Sequence, residues 1–197
     1  MIEKKVFDTY VKSTVVEEFE NKSFEILREI LDEHSRKEYV KTSSPVLQDY
    51  QSGSLRYEKP NDLKNPDCCF FHIANACQPG SIFDDPAYLP KCFFDLMEKA
   101  KAEYGAEKLC TGTWLNSYDR WLALFPKEWI DNMGPVDTDV KRTLNFWGQF
   151  INAKGIFNRK IGETMRKTGK LPFYPRHSWC TFNSLKKHLE EFLSKNC

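Results

Sequence analysis

Two strand-length apolar runs with a single amphipathic helix between them constrain this chain more than any other feature. Residues 68–74 (CCFFHIA) and 109–115 (LCTGTWL) are each the length of one buried strand and too short for a stable helix. Between them Leu89, Phe93, Leu96, Met97 and Ala100 recur at helical spacing. Asp85-Pro86 offers a capping side chain followed by proline, and Gly105 ends the pattern. A helix over 85–104 joining two strands is the crossover that parallel pairing requires. The expected centre of the fold is therefore a βαβ unit.

The flanking sequence predicts a helix-rich α+β fold with a small mixed sheet. Residues 46–51 and 54–58 read as a β-hairpin turning at Ser52-Gly53, and 60–66 as a polar connector. Residues 3–37 read as two helices or one bent helix, with Val6, Tyr10, Val15, Phe24, Leu27, Ile30 and Leu31 on the apolar face. The junction is expected at Asn21 and Ser23. Short helices are expected over 119–124 and 126–132. A long, buried C-terminal helix is expected over 137–168, where Phe146, Phe150, Ala153 and Phe157 form one row and Val140, Leu144, Trp147 and Ile151 a second. Gly148, Gly155 and Gly162 recur along it, and the helix could break near Gly155. Residues 171–175 form an extended break before a final amphipathic helix over 184–195.

At 197 residues the chain suits a single globular domain over 1–197, with 1–38 as a helical packing layer and 67–182 as the site-bearing part. The N-terminus lacks a signal-like apolar stretch, and no window reaches the roughly 20 apolar residues that cross a bilayer. Seven cysteines, an odd number in a chain this long, favour reduced thiols and a cytoplasmic location. The net charge of +1 conceals a basic segment, since residues 138–197 carry a net +8. That segment could attract an anion or pack against the acidic middle, and without interleaved surface aromatics a nucleic-acid partner is disfavoured.

Aromatic and amide residues mark where chemistry is expected. Trp114, Trp121, Trp129, Trp147 and Trp179 all fall in the second half, where they make either a dense core or the wall of a pocket. Ligands bind beyond the C-terminal ends of parallel strands. There the sequence places His72 and Asn75 after the first run, and Trp114, Asn116 and Arg120 after the second. Asp84, beside the capping Asp85, is a candidate acid or base. Along the expected long helix, Asn145, Gln149 and Asn152 align as amides, which suit polar ligands or a buried network. The segment Arg176-His177-Ser178-Trp179 combines an anion-binding side chain with one that titrates near neutrality.

These residues point to a small-molecule enzyme using histidine general acid/base chemistry on a polar, hydroxylated or anionic metabolite. His72, His177 and Asp84 are the catalytic candidates. Asn75, Trp114, Asn116, Arg120, Trp147, Gln149, Asn152 and Arg176 are the substrate-binding ones. Cys77 or Cys110 as a nucleophile is a lesser alternative. A cofactor-independent hydrolase, lyase or isomerase is expected, because GxGxxG, P-loop and GxSxG patterns are missing and no cofactor is signalled. No CxxC or HExxH motif is present, so no metal is expected despite the spacing of His177 and Cys180. The alternatives are a non-catalytic small-molecule-binding or regulatory domain and, behind it, a nucleic-acid module. A small-molecule substrate is the expected partner, with no membrane and with a homodimer through the N-terminal helices.

Overall fold

The computed structural model describes residues 2–42, 51–58, 67–138 and 148–196. The chain divides into two compact units, Met1–Asp49 and Tyr50–Cys197, and its class is α+β with a five-stranded mixed sheet. Among the described residues no helix is long and apolar enough to cross a membrane.

The first unit is a pair of packed helices, α1 (Ile2–Lys12) and α2 (Val16–Thr42). The junction lies at 13–15, not at Asn21 and Ser23, which fall inside α2. Thr14 explains the shift. Its backbone N–H and its hydroxyl both donate to Glu18 Oε2, at 3.0 and 3.3 Å, so the acidic first turn of α2 caps its own start. Lys22 and Thr14 together hold the Glu18 carboxyl below its usual range. Ring contact between Tyr10 and Phe19, at 5.7 Å, joins the two helices. Ser23 is the one buried side chain among the described residues of this unit, whereas Phe7, Tyr10, Val11, Phe24, Ile30 and Leu31 stay exposed.

The second unit is built on the sheet. Strands β1 (Gln51–Ser52) and β2 (Leu55–Glu58) form the expected hairpin about Gly53, whose φ of 55° suits a residue without a side chain. The outer positions 46–50 of that hairpin lie outside the described residues. Strand β2 runs antiparallel to β3 (Cys68–Ile73), and β3 parallel to β4 (Lys108–Thr113). Helix α3 (Tyr88–Tyr104) makes the crossover between the parallel pair and ends at Gly105, where φ is 73°. It begins later than Asp85, because Asp85 Oδ1 accepts from the Ala87 backbone N–H in a turn ahead of the helix.

After β4 come a 3-10 turn (Trp114–Ser117) and two short helices, α4 (Asp119–Leu122) and α5 (Lys127–Asp131). A fifth strand, β5 (Arg176–Thr181), pairs antiparallel with β4, and α7 (Phe182–Asn196) follows it directly. The stretch after 175 is thus an edge strand.

The long helix expected over 137–168 is not present in its described part. Gly148–Phe150 is a single 3-10 turn, Ile151 bridges to Phe157, and α6 (Arg159–Thr168) starts only after Asn158. Asparagine chemistry ends the helical pattern. Asn152 Oδ1 accepts from the backbone of Lys154 and Ile156, and Asn158 Oδ1 caps Ile161. Ile151, Ile156 and Phe157 are consequently exposed rather than buried. Trp147 and the positions at 140–146 lie outside the described residues.

Alternation along the strands sorts the sheet into two faces. Leu55, Tyr57, Cys69, Phe71, Leu109 and Cys180 point into the core, where α3 and α7 cover them. The opposite face carries Arg56, Phe70, His72, Gly112, His177 and Trp179, which are half-buried or exposed. Cys68 and Cys110 also lie there with their sulfurs in contact. At the centre of the core, Phe93 meets Phe71, Phe125 and Trp121 at 5.6, 5.4 and 5.9 Å. Replacing Phe93 by Ala is expected to lower the unfolding free energy by about 3–5 kcal/mol, read from urea denaturation of the full chain.

Candidate functional site

Beyond the C-terminal ends of the parallel strands lies a cleft of about 690 Å³. The chain leaves the sheet here in two loops that open on the same edge, as strands joined by a crossover must. The loop after β3 contributes His72, Asn75, Gln78 and Ser81. The end of β4 and the turn after it contribute Thr111, Thr113, Trp114 and Tyr118. The third wall is the excursion between Gly148 and Phe173, with Gln149, Asn152, Asn158 and Lys160. Of the residues expected at the site, His72, Asn75, Trp114, Gln149 and Asn152 therefore share one cavity.

His72 is the titratable side chain best set for proton transfer. Its Nε2 lies 3.0 Å from Glu58 Oε1 across the β2–β3 pair, and its ring meets the edge of Phe70 at 5.2 Å. A carboxylate on one imidazole nitrogen orients the ring and leaves the other nitrogen for a ligand. Glu58 was not among the expected site residues. Strand pairing alone brings it to His72.

The amides serve the fold more than the cavity. Asn75 donates to Gly80 O and accepts from Cys77 N, each at 2.9 Å, which closes the turn after β3. Gln149 pairs with the backbone of Phe173 in both directions, at 3.1 and 3.3 Å. Asn152 shapes its own turn. All three line the cleft, Asn75 and Gln149 with both side-chain polar atoms engaged and Asn152 with its Oδ1.

Asn116 lies outside the cavity and is fully buried. Its Nδ2 donates to Thr111 O and Arg176 O, at 3.3 and 2.8 Å. Its Oδ1 accepts from Trp121 Nε1 and Trp129 Nε1, at 3.1 and 3.3 Å. All of its hydrogen-bonding capacity is used within the core.

The charged candidates lie elsewhere. Asp84 accepts from Ser81 N at 2.8 Å and is exposed, a turn-forming role. Arg120 donates to Phe83 O at 2.9 Å, stacks over the Phe83 ring, and borders a separate hollow of about 240 Å³. Arg176 Nε donates to Gly134 O at 2.9 Å. His177 stands exposed on the outer sheet face, its ring seated over Gly112.

Aromatic contacts make the wall that the sequence did not reveal. Phe83, Tyr118, Phe173 and Trp114 touch in series at 5.7, 5.7 and 5.9 Å, the first two contacts edge-on. Lys160 is the cation of the cleft and forms no ion pair with any described residue. Burial pushes the Cys69 thiol up to about 12 and raises Cys180 as well, which disfavours either as a nucleophile, and the Cys110 sulfur is in contact with that of Cys68. Among the described residues no three His, Cys, Asp or Glu side chains gather as a metal set. Alternation along β5 separates exposed His177 from buried Cys180.

Asn116→Ala leaves two indole N–H groups and two carbonyls without their partner. Each buried orphan costs roughly 1–3 kcal/mol, so a loss of at least about 2 kcal/mol is expected on chemical denaturation, with Trp fluorescence reporting the loosened core. Compared with known proteins, the chain matches no family model, no curated protein and no solved structure.

Proposed function

We propose that the cleft is the active site of a cofactor-independent small-molecule enzyme in which His72 acts as general acid/base. The observation that carries this reading is the Glu58–His72 pair on the wall of the cleft. Glu58 holds the ring orientation through Nε2, leaving Nδ1 to exchange a proton with the bound molecule. The series Phe83, Tyr118, Phe173 and Trp114 suits an apolar or planar portion of the substrate, and Lys160 suits an anionic group. Lys160 thus takes the part first expected of Arg120 or Arg176, both of which are engaged with backbone carbonyls. Hydrolysis, elimination and isomerisation are the reaction classes that need no more than this.

A second reading, a non-catalytic binding or regulatory domain, is favoured by one observation. Asn75 and Gln149 are committed to the backbone, as is the Oδ1 of Asn152, which leaves fewer amide groups to orient a reacting molecule. The two readings separate on the fate of the ligand. Metabolites that raise the melting temperature are incubated with the full chain and followed by proton NMR. Turnover that falls about 100-fold or more in His72→Asn, with melting unchanged, is the expected result. Turnover at the wild-type rate in that variant ends the acid/base assignment. A ligand recovered unchanged from both proteins supports the binding domain.

A homodimer through α1 and α2 belongs to the same proposal, supported by the exposed Phe7, Tyr10, Val11, Phe24, Ile30 and Leu31. Sedimentation equilibrium is expected to give twice the chain mass, and Phe24→Glu to return it to the monomer. A cytoplasmic location also belongs to this reading.

A further inference from the structure

The outer face of the sheet holds a transverse row of side chains that only partly overlaps the cleft. Arg56 pairs with His72 across β2 and β3, and Gly112 pairs with His177 across β4 and β5. The parallel pairing of β3 and β4 ends at Phe70↔Cys110, and the same register carried on by two residues brings His72 level with Gly112. Just past the last pair, the Thr111 hydroxyl donates to Phe71 O at 2.7 Å and ties the two strands together. Arg56, His72, Gly112 and His177 therefore lie side by side on one face.

Gly112 is what lets the row converge. Neighbouring strands are about 4.8 Å apart, so the backbones of His72 and His177 are separated by roughly 10 Å. The His177 ring leans over Gly112 into that interval. A Cβ on Gly112 would collide with the ring, whose Nδ1 and Nε2 lie 2.7 and 2.8 Å from its place. Arg56, half-buried next to His72, makes no hydrogen bond or ion pair with any described residue. The other charges on this face are already matched, Glu58 with His72 and Lys108 with Asp67.

We propose that the row Arg56–His72–Gly112–His177 is an oxyanion site that takes the phosphoryl group of a ligand. Three donors approach from three strands over a bare backbone patch, which suits an anion with three outward oxygens. A planar carboxylate would be satisfied by the guanidinium alone, through two parallel hydrogen bonds. The partly buried Arg56 supplies a fixed charge and His177 an N–H donor, while His72, whose Nε2 faces Glu58, donates through Nδ1 when its ring is protonated. This inference goes beyond the cleft reading and shares His72 and Gly112 with it.

The test is a titration of the full chain with inorganic phosphate at constant ionic strength, followed by the histidine ring signals in NMR. Both His72 and His177 are expected to shift on one saturating curve. Arg56→Ala should weaken that curve about tenfold, the scale of one charge-assisted hydrogen bond. Gly112→Ala displaces only the end of a flexible side chain, so the fold is kept, yet it should weaken phosphate by a comparable factor. Absence of saturable shifts overturns the proposal, as do separate curves for the two rings or wild-type affinity in Gly112→Ala. Acetate bound as tightly as phosphate overturns the phosphoryl assignment. Saturable phosphate binding without any turnover in the cleft leaves this site standing and removes the enzyme reading instead.

Discussion

The second unit is organised around a neutral amide, Asn116, that has spent every hydrogen bond it can make. Trp121 and Trp129 are the two largest fully buried side chains, and each brings an indole N–H into an apolar interior. Burying such a donor without a partner is expensive. A single carbonyl oxygen resolves both, while the NH2 of the same side chain holds the ends of β4 and β5 together through Thr111 O and Arg176 O. The helices after β4 and the strand that returns beside it are thereby referred to one point. The cleft forms on the far side of that point, because the turn carrying Asn116 also carries Trp114 and Tyr118.

Much of the centre of the fold was legible in the sequence, and the reason is locality. The βαβ unit could be read from 68–115 because the helical period of Leu89 to Ala100, the stop at Gly105 and the two apolar runs each depend on neighbours in the chain. Strand β5 was not legible. Arg176 to Thr181 alternates in burial, but its polar and aromatic members look like a loop until β4 supplies the partner. The break at 148–158 misled for a different reason. Asn152 and Gln149 stand at helical spacing by coincidence, and amides that could serve a ligand serve turns just as well.

The candidate site divides in the same way. His72 and Trp114 followed from the rule that ligands gather at the ends of parallel strands. Glu58, Lys160 and Phe173 could not be placed, because each reaches the site through tertiary contacts with no local signature. Asn116, Arg120 and Arg176 were chosen for chemistry they do possess, but the fold had prior use for it. Backbone carbonyls and indole donors compete with any ligand for amides and guanidinium groups, and in this structure they claim most of them.

The two-way pairing of Gln149 with Phe173 fastens the ends of a 24-residue separation to each other. Everything between them, including α6 and Lys160, hangs from a closed neck rather than from the sheet. Closing a loop costs entropy that rises only slowly with its length. With the neck fixed, residues can be gained, lost or exchanged inside the loop at little expense to the strands beneath. One wall of the cleft is in this sense a replaceable cassette, free to vary in sequence while His72 and Glu58 stay anchored in the sheet.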